Sequence, residues 1–311
     1  MEKSSKMEHI KTIAEVNSIS VAAEKLGISQ PALSAYLKKK EKEFGTRLFD
    51  RSRQPLQLTE AGRAYLEYQA KASSAEKEFH QKVADLENLK TGQLTIGGAG
   101  FLNINYLPAA LTEFRKEHPD IDIEIVDGKV PEITTAAWNG TVDVFLTPSK
   151  RDEERFHHEK IAEETIYLVV PADWPINEEL KVKAVKRNEK PVPLSAKEFR
   201  SLCEYPFLVL SDVQDIGRKM QEIFDRFGCT PKQIIRAEQT LTTLAMTMGG
   251  TGVSLISQSK MGRFIDTDRL VFYLADEAIC HRGLYVAYPK NKYLSRAAEE
   301  FIKILKKVNH L

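Results

Sequence analysis

The sequence predicts an all-α head, a long linker helix and a larger α/β body, on three observations. Residues 7–58 read as short helical segments followed by two short strand-like runs. Residues 59–90 form one helical pattern with no proline and a single glycine, Gly62, near its start. From Gln93 onward, β-branched runs such as Ile121–Val126, Val142–Leu146, Ile166–Val170, Phe207–Leu210, Val253–Ile256 and Leu284–Ala287 alternate with helical patterns. That alternation argues for an α/β fold with parallel sheet.

Bulk properties narrow the class. At 311 residues, 42% hydrophobic and 29% charged, the chain has the size and composition of two soluble domains. No apolar run reaches the roughly 20 residues that span a bilayer. Met1–Lys6 leads into an amphipathic segment without an apolar signal core, so the expected location is the cytoplasm and no membrane partner is expected. Cys203, Cys229 and Cys280 lie far apart without Cys-x-x-Cys spacing, which predicts reduced, buried thiols and no zinc site. Residues 1–90 hold 16 Lys+Arg against 13 Asp+Glu, net +3, and the remainder 29 against 31, net −2. A mildly basic head on a mildly acidic body points weakly to nucleic acid.

The head carries the sharper signal. Ala22, Ala23 and Leu26 share one helical face, and Ala23 is small where a second helix must cross closely. Gly27 supplies the left-handed backbone that ends a helix, Ser29 is a natural N-cap, and Pro31 falls in the next helix's first turn, where a missing N–H costs nothing. Leu33, Tyr36 and Leu37 continue the apolar face. Two short helices joined through a glycine turn are the helix-turn-helix pattern. Gln30, Ala32, Ser34 and Ala35 then lie on the outer N-terminal part of the second helix, with Lys38 and Lys39 following. Gln pairs with adenine, Ser bonds several base edges, and Ala or Pro meets a thymine methyl; lysines and helix N-termini suit phosphate. Gly45 ends that helix, a strand begins at Leu48-Phe49, and the basic turn Arg51–Pro55 leads to Leu56–Leu58. This predicts a two-stranded wing, with Arg51 and Arg53 at its tip meeting phosphate or a minor-groove edge. Double-stranded DNA is the expected partner, and Ser29, Gln30, Pro31, Ala32, Ser34, Lys38, Arg51 and Arg53 are the expected contacts.

These residues resemble the LysR-type transcriptional regulators. The family pattern of Ala-Ala, Leu, then Ser-Gln-Pro-x-(hydrophobic)-Ser is present as Ala22-Ala23, Leu26 and Ser29–Ser34. Its Gly-x-x-Leu-Phe-x-Arg is present as Gly45, Leu48, Phe49 and Arg51, and its Leu-Thr-x-Ala-Gly as Leu58–Gly62. Lys40 departs from it, standing where the family usually has an apolar residue. The resemblance implies a winged helix-turn-helix DNA-binding domain at 1–62, a linker/dimerisation helix at 59–90 and an effector-binding domain at 92–311. The last is expected to be two-lobed and periplasmic-binding-protein-like, lobe I about 92–163 and 268–311, lobe II about 164–267. It also implies a homodimer or homotetramer, modulation by a small-molecule effector of unknown identity, and recruitment of RNA polymerase.

Thr59 is a plausible cap for the linker helix, and Glu60 suits the positive end of its dipole. Ala61, Ala64, Tyr65, Tyr68, Ala72, Ala75, Phe79, Val83, Leu86 and Leu89 recur mostly at three- and four-residue spacing, a narrow stripe of the kind that pairs helices. In the body, ligands of open α/β sheets bind at the carboxyl ends of strands. That rule selects the turn after the first strand, with Ala99, Gly100, Phe101 and Asn103, and then Thr147, Ser211, Gln214 and Thr240. Many relatives carry Ser or Thr in this first turn to bind a carboxylate; here stand Ala99, Gly100, Phe101 and Leu102. Three readings stay open: a less acidic effector, binding by backbone amides, or a cleft without a ligand.

An enzyme built on the same core is the rival class. His157-His158 sits in what reads as a charged loop, and no His-x-x-x-His, Gly-x-Ser-x-Gly or Walker-type loop occurs. No catalytic residue, cofactor or metal is expected. The second alternative is a DNA-binding regulator whose α/β half contacts a protein partner and senses no small molecule.

Overall fold

The computed structural model describes residues 2–86, 92–185, 190–257 and 267–309. The end of the expected linker helix, with Leu89 and the break at Thr91, lies outside the described residues. The chain divides into two compact units, Met1–His80 with Asn139–Thr141, and Gln81–Trp138 with Val142–Leu311.

The first unit contains α1 (Glu2–Val16), α2 (Ile19–Lys25), α3 (Gln30–Phe44), β1 (Phe49–Asp50) and β2 (Gln57–Leu58), followed by α4 (Glu60–Leu86), which continues into the second unit. Each boundary has a local cause. Gly27 takes φ +66° after α2, and the Ile28 N–H donates back to the Ala23 carbonyl at 3.0 Å, closing the helix in the left-handed manner glycine permits. Ser29 then caps α3, its hydroxyl accepting from the Ala32 N–H at 3.3 Å, with Pro31 in the first turn. Gly45, at φ +68°, ends α3. Thr59 caps α4, its Oγ1 accepting from the Gly62 N–H at 3.0 Å. Leu33 and Leu37 are fully buried with Ile10, Ile13, Ala22, Leu48 and Phe49. Strands β1 and β2 pair antiparallel, Phe49 opposite Leu58 and Asp50 opposite Gln57, which is the wing, begun one residue later than the sequence suggests.

The second unit runs β3 (Gly92–Gly98), α5 (Gly100–Glu117), β4 (Ile121–Asp127), α6 (Val130–Trp138), β5 (Val144–Thr147), β6 (Phe156–Pro171), α7 (Ile176–Glu179), α8 (Ala196–Leu202), β7 (Phe207–Leu210), α9 (Asp215–Phe227), β8 (Ile234–Ala237), α10 (Thr240–Met248), β9 (Ser254–Ser257), β10 (Leu270–Tyr273), α11 (Glu277–Cys280), β11 (His281–Pro289) and α12 (Arg296–Val308). The expected parallel sheet is in fact mixed. β3 pairs parallel with β4 and β5, and β7 with β8, whereas β6 pairs antiparallel with β9, β10 and β11.

The 16-residue strand β6 organises the unit. Its first part pairs with β11 and its second with β9 and β10, so one strand passes through two lobes. One core gathers Leu94, Ile96, Phe114, Val144, Val286 and Phe301; the other gathers Ile166, Leu168, Phe199, Phe207, Ile223 and Tyr273.

Four expectations need correction. The return crossing lies at Cys280/His281 and not at residues 267/268, because β10, Leu274, Ala275 and Cys280 belong to the second core. His157 and His158 stand on β6 rather than in a loop. The stretch 176–193, whose charge and closing prolines read in the sequence as an exposed insertion, buries Ile176 and Leu180; residues 186–189 lie outside the described residues. Cys203 and Cys229 form a disulfide with their Cα atoms 6.9 Å apart, where two thiols are expected, while Cys280 is a buried free thiol.

Candidate nucleic-acid interface and effector cleft

Helix α3 separates its two faces sharply. Leu33 and Leu37 are sealed in the core, while Ser29, Gln30, Pro31, Ala32, Ala35, Lys38 and Lys39 are exposed and Ser34 is half-buried. The side chains that could meet base edges therefore stand clear at the N-terminal end, held in place by the anchored opposite face. Lys40 lies over the Phe44 ring, 5.6 Å from its centroid, and pairs with Glu43 at 3.0 Å. Its stem thus serves the packing role of an apolar residue.

The two wing arginines are placed differently from one another. Arg51 Nη2 lies 2.7 Å from Glu41 Oε2, and Glu41 Oε1 also accepts from the Leu48 N–H at 3.0 Å. This arginine braces the end of α3 against the wing and does not project from the tip as the sequence suggests. Arg53 is more open, donating to Gln57 at 3.0 Å and lying 3.4 Å from Asp50. Contacts this exposed are weak and exchangeable, which leaves Arg53 free to turn to a phosphate.

In the second unit, a cavity of about 530 Å³ opens between the two lobes. One wall is the β3–α5 turn, with Ala99, Gly100 and Phe101, joined by Asp127, Lys129 and Glu132 after β4. The facing wall is the start of α9, with Gln214 and Asp215, and the start of α10, with Glu238 and Thr240; Arg282 on β11 completes it. The expected Ala99, Gly100, Phe101, Gln214 and Thr240 are therefore brought together. Three others are not. Asn103 is buried behind the turn, its amide donating to Asp127 Oδ1 at 2.7 Å. Thr147 is buried with its hydroxyl on the Ser149 carbonyl at 3.0 Å. Ser211 lines a separate depression beside Arg236.

The charged groups of the cleft were not singled out from the sequence. Arg282, with 6% of its side chain exposed, donates through Nε to Glu164 at 2.7 Å and through Nη1 to Asp215 at 2.6 Å. Burial opposes its charge, and the two carboxylates outweigh that effect and hold the guanidinium charged. Tyr106 donates to the other Glu164 oxygen at 2.6 Å, so this buried network is well satisfied. At the rim, Lys129 and Glu238 pair across the two walls at 3.0 Å, and the Glu238 carboxylate holds the Lys129 ammonium above the usual lysine range. Asp127 could have been found, since it ends a strand that was recognised. Glu164 and Arg282 lie 118 residues apart, and no local pattern joins them. Among the described residues, no group of His, Cys, Asp and Glu could hold a metal ion, and no helix is long and apolar enough to cross a membrane.

A winged helix-turn-helix joined to a two-lobed α/β domain with a cleft defines a ligand-responsive DNA-binding regulator, and comparison with known proteins agrees. The family description "Bacterial regulatory helix-turn-helix protein, lysR family" matches residues 5–63, and "LysR substrate binding domain" matches residues 87–309. The chain belongs to the LysR family of transcriptional regulators. Its substrate-binding domain favours the small-molecule reading over a purely protein-contacting one. A probable RuBisCO transcriptional regulator from Nostoc sp. is 26% identical over 302 residues, covering 94% of this chain and 84% of its own. The uncharacterized HTH-type transcriptional regulator YcgK from Bacillus subtilis is 26% identical over 306 residues, covering 96% and 92%. Among solved structures, the LysR family regulator CbnR superposes with a TM-score of 0.68 at 19% identity, covering 98% of this chain and 99% of its own. Full-length BenM gives 0.57 at 22% identity, covering 97% and 95%. These likenesses show the fold.

Proposed function

We propose that the chain reads a specific DNA site with the N-terminal end of α3, as a homodimer or homotetramer joined through α4, and that a small effector in the inter-lobe cleft changes how it bends DNA and recruits RNA polymerase. The observation that carries this reading is that Gln30 and Ala32 are exposed and Ser34 half-buried on a helix whose opposite face, Leu33 and Leu37, is fully buried. In this reading Ser29, Pro31 and Lys38 complete the recognition end. Arg53 meets the flanking backbone, and Arg51 positions the wing through Glu41. The heads would occupy successive major grooves, so the operator should be roughly palindromic. A crystal structure of CbnR with its target DNA is among the similar folds, which supports the DNA-bound role. The domain divisions proposed are 1–62 for the reading head, 59–90 for the linker and the remainder for sensing. We assign the chain no catalytic role, and place it in the cytoplasm with the DNA it binds.

The test is selection of binding sites from random duplexes with the intact chain, followed by titration of the best site. Gln30→Ala with Ser34→Ala should abolish discrimination between that site and random DNA, each lost base contact costing about 1–3 kcal/mol. Arg53→Ala should weaken binding to all sequences and reduce its salt dependence. Unchanged site affinity in the double variant would show that α3 is not the reading element.

A further inference from the structure

The inter-lobe cleft has a charge balance that selects among effectors. Four carboxylates face it, Asp127, Glu132, Asp215 and Glu238, against two cations, Lys129 and Arg282. Both cations are already engaged. Lys129 pairs with Glu238 at 3.0 Å. Arg282 spends its guanidinium on Glu164 and Asp215, and Asp215 is further met by Arg218 at 3.2 Å. An anionic ligand reaching for Arg282 would have to displace Asp215 and leave that carboxylate with Arg218 as its remaining ion-pair partner among the described residues. Asp127 and Glu132, by contrast, have no cation within ion-pair distance among the described residues. Asp127 receives only the Asn103 amide, and Glu132 the Lys129 backbone N–H at 3.0 Å.

The glycine turn points the same way. A helix N-terminus ordinarily favours an anion, and α5 has no side-chain cap of its own. Asp127 stands beside that end, its Oδ1 3.6 Å from where a Cβ on Gly100 would lie. Behind it, Asn103 Oδ1 is buried and has no hydrogen-bond donor. The charges left without an ion-pair partner at this wall are the Asp127 and Glu132 carboxylates, so the ligand complementary to them brings donors and positive charge. Between the charges the lining is apolar, with Phe101, Ile104, Val130, Val213, Ile216 and Leu241, which suits a hydrocarbon body.

We infer that the cleft takes a small organic cation, an amine or amidine on an apolar body, with Asp127 and Glu132 receiving its charge. This rests on the cleft being the effector site, so the experiment must separate the two. Three matched probes are titrated calorimetrically into the full-length protein: 2-phenylethylamine, 3-phenylpropionate and 3-phenylpropan-1-ol, with butylamine, butyrate and butanol as a shorter set. The amines should bind and raise the melting temperature, and the carboxylates should not. Asp127→Asn with Glu132→Gln should weaken the amines tenfold or more, the scale of a charged hydrogen bond. Tighter binding of the carboxylates or alcohols overturns the charge assignment and leaves the effector reading standing. Amine binding untouched by the double substitution places the ligand elsewhere and overturns the inference. If no probe binds, and Ile104→Trp, which fills the cleft, leaves DNA affinity unchanged, the effector reading falls and the inference with it.

Discussion

Arg282 holds two carboxylates, Glu164 and Asp215, with its guanidinium almost fully buried. Its replacement by Met would leave Glu164, only 1% exposed at its side chain, as a buried carboxylate without a cation. Breaking one side of such a pair costs about 3–5 kcal/mol, so urea unfolding of Arg282→Met should show a loss of that order. Adding Glu164→Gln should recover part of it, because the stranded charge is removed. His158 makes a second prediction at this scale. Burial holds its imidazole below the ordinary histidine value, so the unfolded chain takes up this proton more readily than the folded one. The resulting stability is fully present above the unfolded pKa of about 6.5 and is lost as pH falls through the lower folded value. The urea midpoint should therefore drop on acidification from neutral pH, and His158→Gln should flatten that drop. A midpoint rising on acidification in the wild type relative to the variant would contradict the burial account.

Among elements, α4 bears the most telling surface. Tyr68, Phe79, Val83 and Leu86 are 63%, 63%, 41% and 84% exposed, at helical spacing on a helix of 27 residues. An apolar row of this kind left open to water is stabilised by a second helix. Phe79→Glu with Leu86→Asp should shift sedimentation toward the monomer and leave the circular dichroism of the helices intact. Helix α3 offers a test of its own end: Gly45 sits at φ +68° with nothing within 4 Å of an added Cβ. Gly45→Ala should thus cost about 1–2 kcal/mol from backbone strain alone, measured by chemical denaturation. These elements were legible in advance because their signals are local. Gly27, Ser29, Pro31 and Gly45 each act on their own turn. The strands β8 and β10, and the first part of β6, were not; Phe156–Lys160 holds one apolar residue followed by four polar ones and reads as a charged loop. The cleft was half legible for the same reason. Gln214 follows from the rule about strand ends and Thr240 from a helix start, but the Arg282 network and the Cys203–Cys229 pairing join residues that only the fold brings together.

For the whole molecule, the decisive feature is the undivided strand β6. An effector-binding domain described as two lobes invites treatment of each as a module, to be excised, swapped or expressed alone. The continuous strand sets the cost of that partition. A cut after Thr165 falls between the β11 ladder, which ends at the Thr165–His281 pair, and the β9 ladder, which begins at Ile166–Ser257, so it spares the strand pairs and severs the covalent link that couples the lobes. The intact sensing domain should unfold in a single transition by calorimetry, and a chain cut after Thr165 in two. Heredity is constrained likewise. Recombination that exchanges one lobe between relatives must rematch Asp215 of one lobe to Arg282 of the other, so new specificities are reached more readily by changing residues along the cleft than by shuffling its halves.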